Sequence, residues 1–86
     1  MTAKVITLEV EVVDGDCIDV PYLEVGARFT YDSIASTWSC VKADCGGIAV
    51  FRDEHAEPPV DVTFFIDDQN YGTFPVKDGA CYVLEA

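Results

Sequence analysis

An all-β fold, a small antiparallel barrel or sandwich of five to six short strands, is what the sequence predicts. Three observations carry that expectation. Apolar residues alternate with a period of two over most of the chain, turn-forming dipeptides mark the places where the pattern changes face, and helical spacing of apolar residues is essentially absent. The 86 residues suffice for one domain, expected to span 1–86 as a single acidic all-β unit. Half the chain is apolar and the mean hydropathy is +0.19, so there is enough material to offset the entropy of ordering.

From Lys4 to Val13 the residues Ile6, Leu8, Val10 and Val12 share one face, while Thr7, Glu9 and Glu11 share the other, which predicts a strand with one wet side. Asp14-Gly15 suits a tight turn, and Cys17 to Val20 begins a short return strand that Pro21 interrupts. Pro21 to Gly26 leads into a second long strand, where Ala27, Phe29 and Tyr31 alternate with Arg28 and Thr30. Ser33 to Ser36 connects. Thr37 to Ala43 and Ile48 to Arg52 flank Asp44-Cys45-Gly46-Gly47, the strongest hairpin signal in the chain, because paired glycines permit the positive φ values that hairpin turns need.

Asp53 to Pro59 is polar with two prolines that cannot donate to a ladder, and is expected as an exposed loop. Asp61 to Asp67 resumes as a strand with Val62, Phe64 and Ile66 on one side and Asp61, Thr63, Phe65 and Asp67 on the other. Asp68 to Gly72 is expected to turn the chain, Asp78-Gly79 to form another hairpin, and Cys81 to Leu84 to close the structure. The run Val25-Gly26-Ala27-Arg28-Phe29-Thr30-Tyr31 followed by a hairpin resembles the opening of many SH3-like small barrels. That resemblance covers about a third of the chain and implies a fold only.

Sixteen acids against five bases give a formal charge of −11, which opposes direct binding to nucleic acid or to anionic membranes. The surplus is uneven. Residues 1–24 carry six acids and one base, residues 25–52 two acids and three bases, and residues 53–86 eight acids and one base. On the first strand Glu9 and Glu11 project from one face about 7 Å apart, a spacing at which carboxylates offer a basic nucleic-acid-binding protein a substitute for phosphates. Phe65, among acids on the wet side of its strand, is either an interface anchor or covered on both sides.

Little else in the chain carries chemistry. Met1 to Ile6 contains Lys4 and soon meets Glu9 and Glu11, unlike a signal peptide, and no apolar run is long enough to cross a bilayer, so a cytoplasmic location is expected. Cys17, Cys40, Cys45 and Cys81 allow three disulfide pairings, but without a secretion signal they are expected as free, small apolar residues. Their spacing lacks the close pairs of a structural zinc site, and no cofactor is expected. Asp14-Gly15-Asp16-Cys17-Ile18-Asp19 fails the calcium-loop pattern, because Ile18 stands where the fifth position needs an oxygen ligand. His55, the single histidine, is expected as a solvated loop residue rather than a catalytic base, and no nucleotide-binding, metalloprotease or serine-nucleophile motif is present. Trp38, Tyr22, Tyr31, Tyr71 and Tyr82 lack the basic groove that base stacking needs and are expected to pack at core and rim.

The leading expectation is therefore a non-enzymatic protein-binding module, an acidic inhibitor that occupies the basic nucleic-acid-binding surface of a host protein. Compact acidic inhibitors of this class are typical of phages and mobile elements, anti-CRISPR proteins among them. The residues expected to meet the partner are Glu9, Glu11, Asp61 and Asp67, with Asp53, Glu54 and Glu57 from the loop and Phe65 as anchor. The alternatives are a subunit that forms a homodimer or larger assembly through its apolar strand edges, and a cysteine-based metal-binding domain.

Overall fold

A computed structural model describes residues 4–86, which form seven strands and no helix. They are β1 (Lys4–Val13), β2 (Glu24–Thr30), β3 (Thr37–Lys42), β4 (Ile48–His55), β5 (Asp61–Ile66), β6 (Gln69–Pro75) and β7 (Cys81–Glu85). Of the barrel and the sandwich, the chain takes the sandwich: a three-stranded sheet ordered β4-β1-β7 faces a four-stranded sheet ordered β3-β2-β5-β6. With no helix among the described residues, none is long and apolar enough to cross a membrane.

The inward faces are those of the period-two pattern. Leu8, Val10 and Val12 of β1 meet Val25, Ala27 and Phe29 of β2 and Val62, Phe64 and Ile66 of β5, with Ala49 and Phe51 of β4 and Leu84 of β7 completing the core. Phe64 is its centre: its ring lies 6.1 Å from that of Phe51, 5.9 Å from Phe74 and 5.3 Å from Tyr82.

Several connections differ from expectation. The strand count rises to seven because Asp68 to Gly72 is not a turn. The turn is Asp67-Asp68, both with positive φ (51° and 63°), joining Ile66 directly to Gln69 in a two-residue hairpin. Aspartate tolerates that conformation, so the pair serves where Asn-Gly is the more readable signal. Asn70 to Gly72 belongs to β6 and forms a bulge: the register shifts between Thr63 and Phe65, and Gly72 has φ 114°.

Asp44 to Gly47 does turn tightly. Asp44 Oδ1 accepts from the amides of Gly46 (2.8 Å) and Ile48 (3.0 Å). The strands it joins nevertheless part into different sheets, β3 pairing with β2 and β4 with β1, so it is an arch between layers rather than a hairpin. Asp14 repeats the device, accepting from Asp16 N (2.8 Å) and Ile18 N (3.1 Å), after which the expected return strand shrinks to one bridge between Val13 and Asp19. Asp78-Gly79 is not a hairpin either. Thr7 donates its amide to Asp78 Oδ1 and accepts from Gly79, which docks the segment on β1 and sends β7 alongside it in parallel.

The stretch expected as a loop from Asp53 is strand up to His55. Alternation continues there with polar residues facing inward, which hid the period: Phe51, Asp53 and His55 point one way and Arg52 and Glu54 the other.

Candidate functional site

The outward face of the β4-β1-β7 sheet is built around β1. Register places Glu9 between Val50 of β4 and Cys81 of β7, and Glu11 between Ile48 and Val83. Val50 and Val83 are 48% and 60% exposed, so two carboxylates stand side by side on the middle strand inside an apolar surround. Asp19, brought beside β1 by its bridge to Val13, makes the site more acidic still. A carboxyl–carboxyl hydrogen bond with Asp19, and then repulsion between the two charges, raises Glu11 above the usual carboxylate range. Among the described residues the one lysine or arginine ion pair is Arg52–Glu54 at 2.9 Å on exposed side chains, which leaves Glu9 and Glu11 unneutralised.

The opposite outward face, on β3-β2-β5-β6, is aromatic. Gly26 of β2 lies between Cys40 of β3 and Phe65 of β5, and in the next row Arg28 lies between Trp38 and Thr63. The Trp38 ring rests on Phe65 with centroids 5.0 Å apart, and the Arg28 guanidinium lies 5.8 Å from each. Trp38 is still 63% exposed. Because Gly26 has no side chain, the sheet dips beside the rings into a groove of about 520 Å³, rimmed by Glu24, Asp67 and Asp68. Phe65 is thus half-buried against Trp38, outside the core. Asp61, at the other end of β5 beside Thr30 and Pro75, is about 20 Å along the strand from Asp67 and takes no part.

Of the remaining expected residues, Glu54 projects with Arg52 from the outward side of β4, whereas Asp53 lies at a third place, where Tyr31 and Thr37 of one sheet meet β4 of the other. Asp53 is only 5% exposed, so it offers nothing to a partner. Its Oδ1 accepts from the Tyr31 hydroxyl and lies 3.0 Å from His55 Nδ1, while its Oδ2 is buried without a partner. The Tyr31 oxygen is also 3.0 Å from His55 Nδ1 and 3.1 Å from Thr37 Oγ1. His55 is therefore held in a network rather than solvated in a loop. Burial, followed by the hydrogen bond to Asp53, pushes Tyr31 up to about 12, the opposite of an activated hydroxyl. Glu54 is paired with Arg52, and Glu57 caps a turn by accepting from the amides of Asp32 and Ser33 (both 3.0 Å) and from the Ser33 hydroxyl.

The eight expected contact residues thus divide among four places. Glu9 and Glu11 share one face with the Arg52-paired Glu54, Phe65 and Asp67 lie on the other, Asp53 and Glu57 are engaged within the fold, and Asp61 stands apart at the far end of β5. The four cysteines are free and exposed on separate elements, not packed as small apolar residues, and no group of three or more ligating side chains is assembled among the described residues. The sequence reading missed Trp38, Gly26 and Asp19 as surface determinants. In β3 every second residue is Trp38, Cys40 and Lys42 against Thr37, Ser39 and Val41, so neither face reads as the apolar one. Compared with models of known protein families, with curated proteins and with solved structures, the chain matches none.

Proposed function

We propose that this protein is a non-enzymatic binding module whose outward β4-β1-β7 face docks on a basic surface of a partner protein. The observation that carries the reading is Glu9 and Glu11 on the middle strand, un-neutralised and pressed further by Asp19, within a border of exposed Val50 and Val83 and half-buried Ile48. Like charges held together cost free energy in the isolated molecule, and a cationic partner relieves that cost while the valines supply apolar area. The same charge disfavours a second copy of this chain on the face. Protein surfaces dense in lysine and arginine are commonly those that bind nucleic acid, so an inhibitor of a nucleic-acid-binding protein is the favoured role. Division of the acids among separate places removes support for a continuous phosphate-like track, and the reading rests on this one face. The Tyr31–Asp53–His55 network favours a structural over a catalytic role, since its hydroxyl is already donated and held protonated.

The test is capture from a cell lysate on immobilised protein and on the Glu9→Lys/Glu11→Lys variant. A basic nucleic-acid-binding protein retained by the first, released by salt or added duplex DNA, and lost by the second is the expected result. Retention indifferent to the double substitution overturns the proposal.

A further inference from the structure

The groove beside Trp38 faces away from Glu9 and Glu11, and its chemistry specifies a ligand of its own. Three features combine. Gly26 removes a side chain from the row between Cys40 and Phe65, Trp38 and Phe65 form an aromatic wall, and Glu24, Asp67 and Asp68 supply carboxylates along the rim. The wall already holds one guanidinium, that of Arg28, 5.8 Å from both ring centroids in the neighbouring row. On the Gly26 side no base lines the groove. At about 520 Å³ it falls in the size range of ligand sites and has room for a short peptide segment rather than one side chain.

We infer that this groove binds an arginine-bearing peptide segment of a partner, its guanidinium stacked on Trp38 and paired with Asp67 and Asp68. A planar, delocalised, weakly hydrated cation stacks on an aromatic face and pairs with carboxylates through its fork of N–H donors, which a compact ammonium does less well. The aspartates are held at the rim by their turn, whose φ values of 51° and 63° fix the backbone that carries them. This inference does not depend on the role of the opposite sheet.

Trp38 is the only tryptophan, so tryptophan emission, excited beyond the absorption of the four tyrosines, reads the groove alone. The probe is acetyl-Arg-Arg-Arg-amide, compared with the matched lysine and citrulline peptides. Expected are a saturable change with the arginine peptide, weaker binding of the lysine peptide and none of citrulline. Asp67→Asn/Asp68→Asn, which keeps residues that tolerate positive φ, weakens the arginine peptide about tenfold or more. Glu9→Gln/Glu11→Gln removes the same charge from the far face and changes affinity less than about twofold. Gly26→Ala raises the groove floor: its Cβ meets Phe65 Cβ at 3.6 Å and Trp38 at 4.0 Å, ordinary contacts, so the fold survives while binding of the arginine peptide weakens. The inference is overturned if the arginine peptide gives no saturable change, if lysine binds equally, or if the far-face variant loses as much as the aspartate variant. Failure here leaves the lysate result with Glu9→Lys/Glu11→Lys unaffected.

Discussion

The Tyr31 hydroxyl donates to Asp53 Oδ1 across the two sheets, tying the end of β2 to the inward side of β4. Asp53 Oδ2 is buried without a partner, so the carboxyl is already under-supplied with donors. Tyr31→Phe removes one of the donors it has and is expected to cost about 1–3 kcal/mol, read as a lower urea midpoint with unchanged slope. Asp53→Asn, which keeps an oxygen to accept from the Tyr31 hydroxyl, is expected to cost less than Asp53→Ala.

Stability should also fall at alkaline pH through the same residue. Tyr31 is pushed from 10.0 to about 12 by burial and by Asp53. The folded state therefore holds its proton more tightly than the unfolded chain. That contribution is complete below pH 10 and is lost as pH rises toward about 12. Thermal melts from pH 9 upward should show a steeper decline for the native protein than for Tyr31→Phe.

Glu11 has the opposite consequence at neutral pH. Its pKa is raised by Asp19, so whatever stability protonation brings is present in acid and lost once pH rises through the folded value. Glu11→Gln, permanently neutral and still able to hydrogen bond to Asp19, is expected to melt higher than the native protein at pH 7. The difference should shrink below the ordinary carboxylate range. A surface acid whose removal stabilises is the mark of charge kept for a partner.

Two glycines with nearly equal φ should respond unequally to alanine. Gly47 (φ 77°) would place a Cβ 3.0 Å from the Val12 carbonyl and 3.2 Å from that of Val20, where the Asp44 arch packs on β1. Gly79 (φ 79°) has nothing within 4 Å. Gly79→Ala should cost about 1 kcal/mol from the backbone conformation alone, and Gly47→Ala clearly more because the backbone must move. Equilibrium unfolding of the two variants measures the difference.

Of the site, the sequence disclosed what one strand can disclose. Glu9 and Glu11 share a face because alternate residues of any strand do, and β1 bears this out. The turn at Asp14-Gly15 announces that the chain comes back along β1, but only the pairing of Val13 with Asp19 and of Val20 N with Val12 O decides that Asp19 is the acid set beside Glu11. Asp53 was misread for a different reason: a polar residue at an inward position is stable only if hydrogen-bonded, and its partner Tyr31 is 22 residues away. Trp38 was lost because polar and apolar residues are mixed on both faces of β3, and only its pairing with β2 shows which side looks outward.

By itself the sequence determined every strand but β6, the buried faces of β1, β2 and β5, and the acidic surplus, because side-chain alternation and turn propensity act over a few residues. The tertiary structure decided which sheet each strand joins. Asp44 to Gly47 makes the same tight turn whether the flanking strands pair with each other or part, and hydrogen bonds to β1 and β2, far along the chain, chose the parting. Separating the acids onto opposite faces, placing Trp38 beside Gly26 and joining Tyr31 to Asp53 all follow from that choice, since each brings together residues from strands that meet only in the assembled sheets.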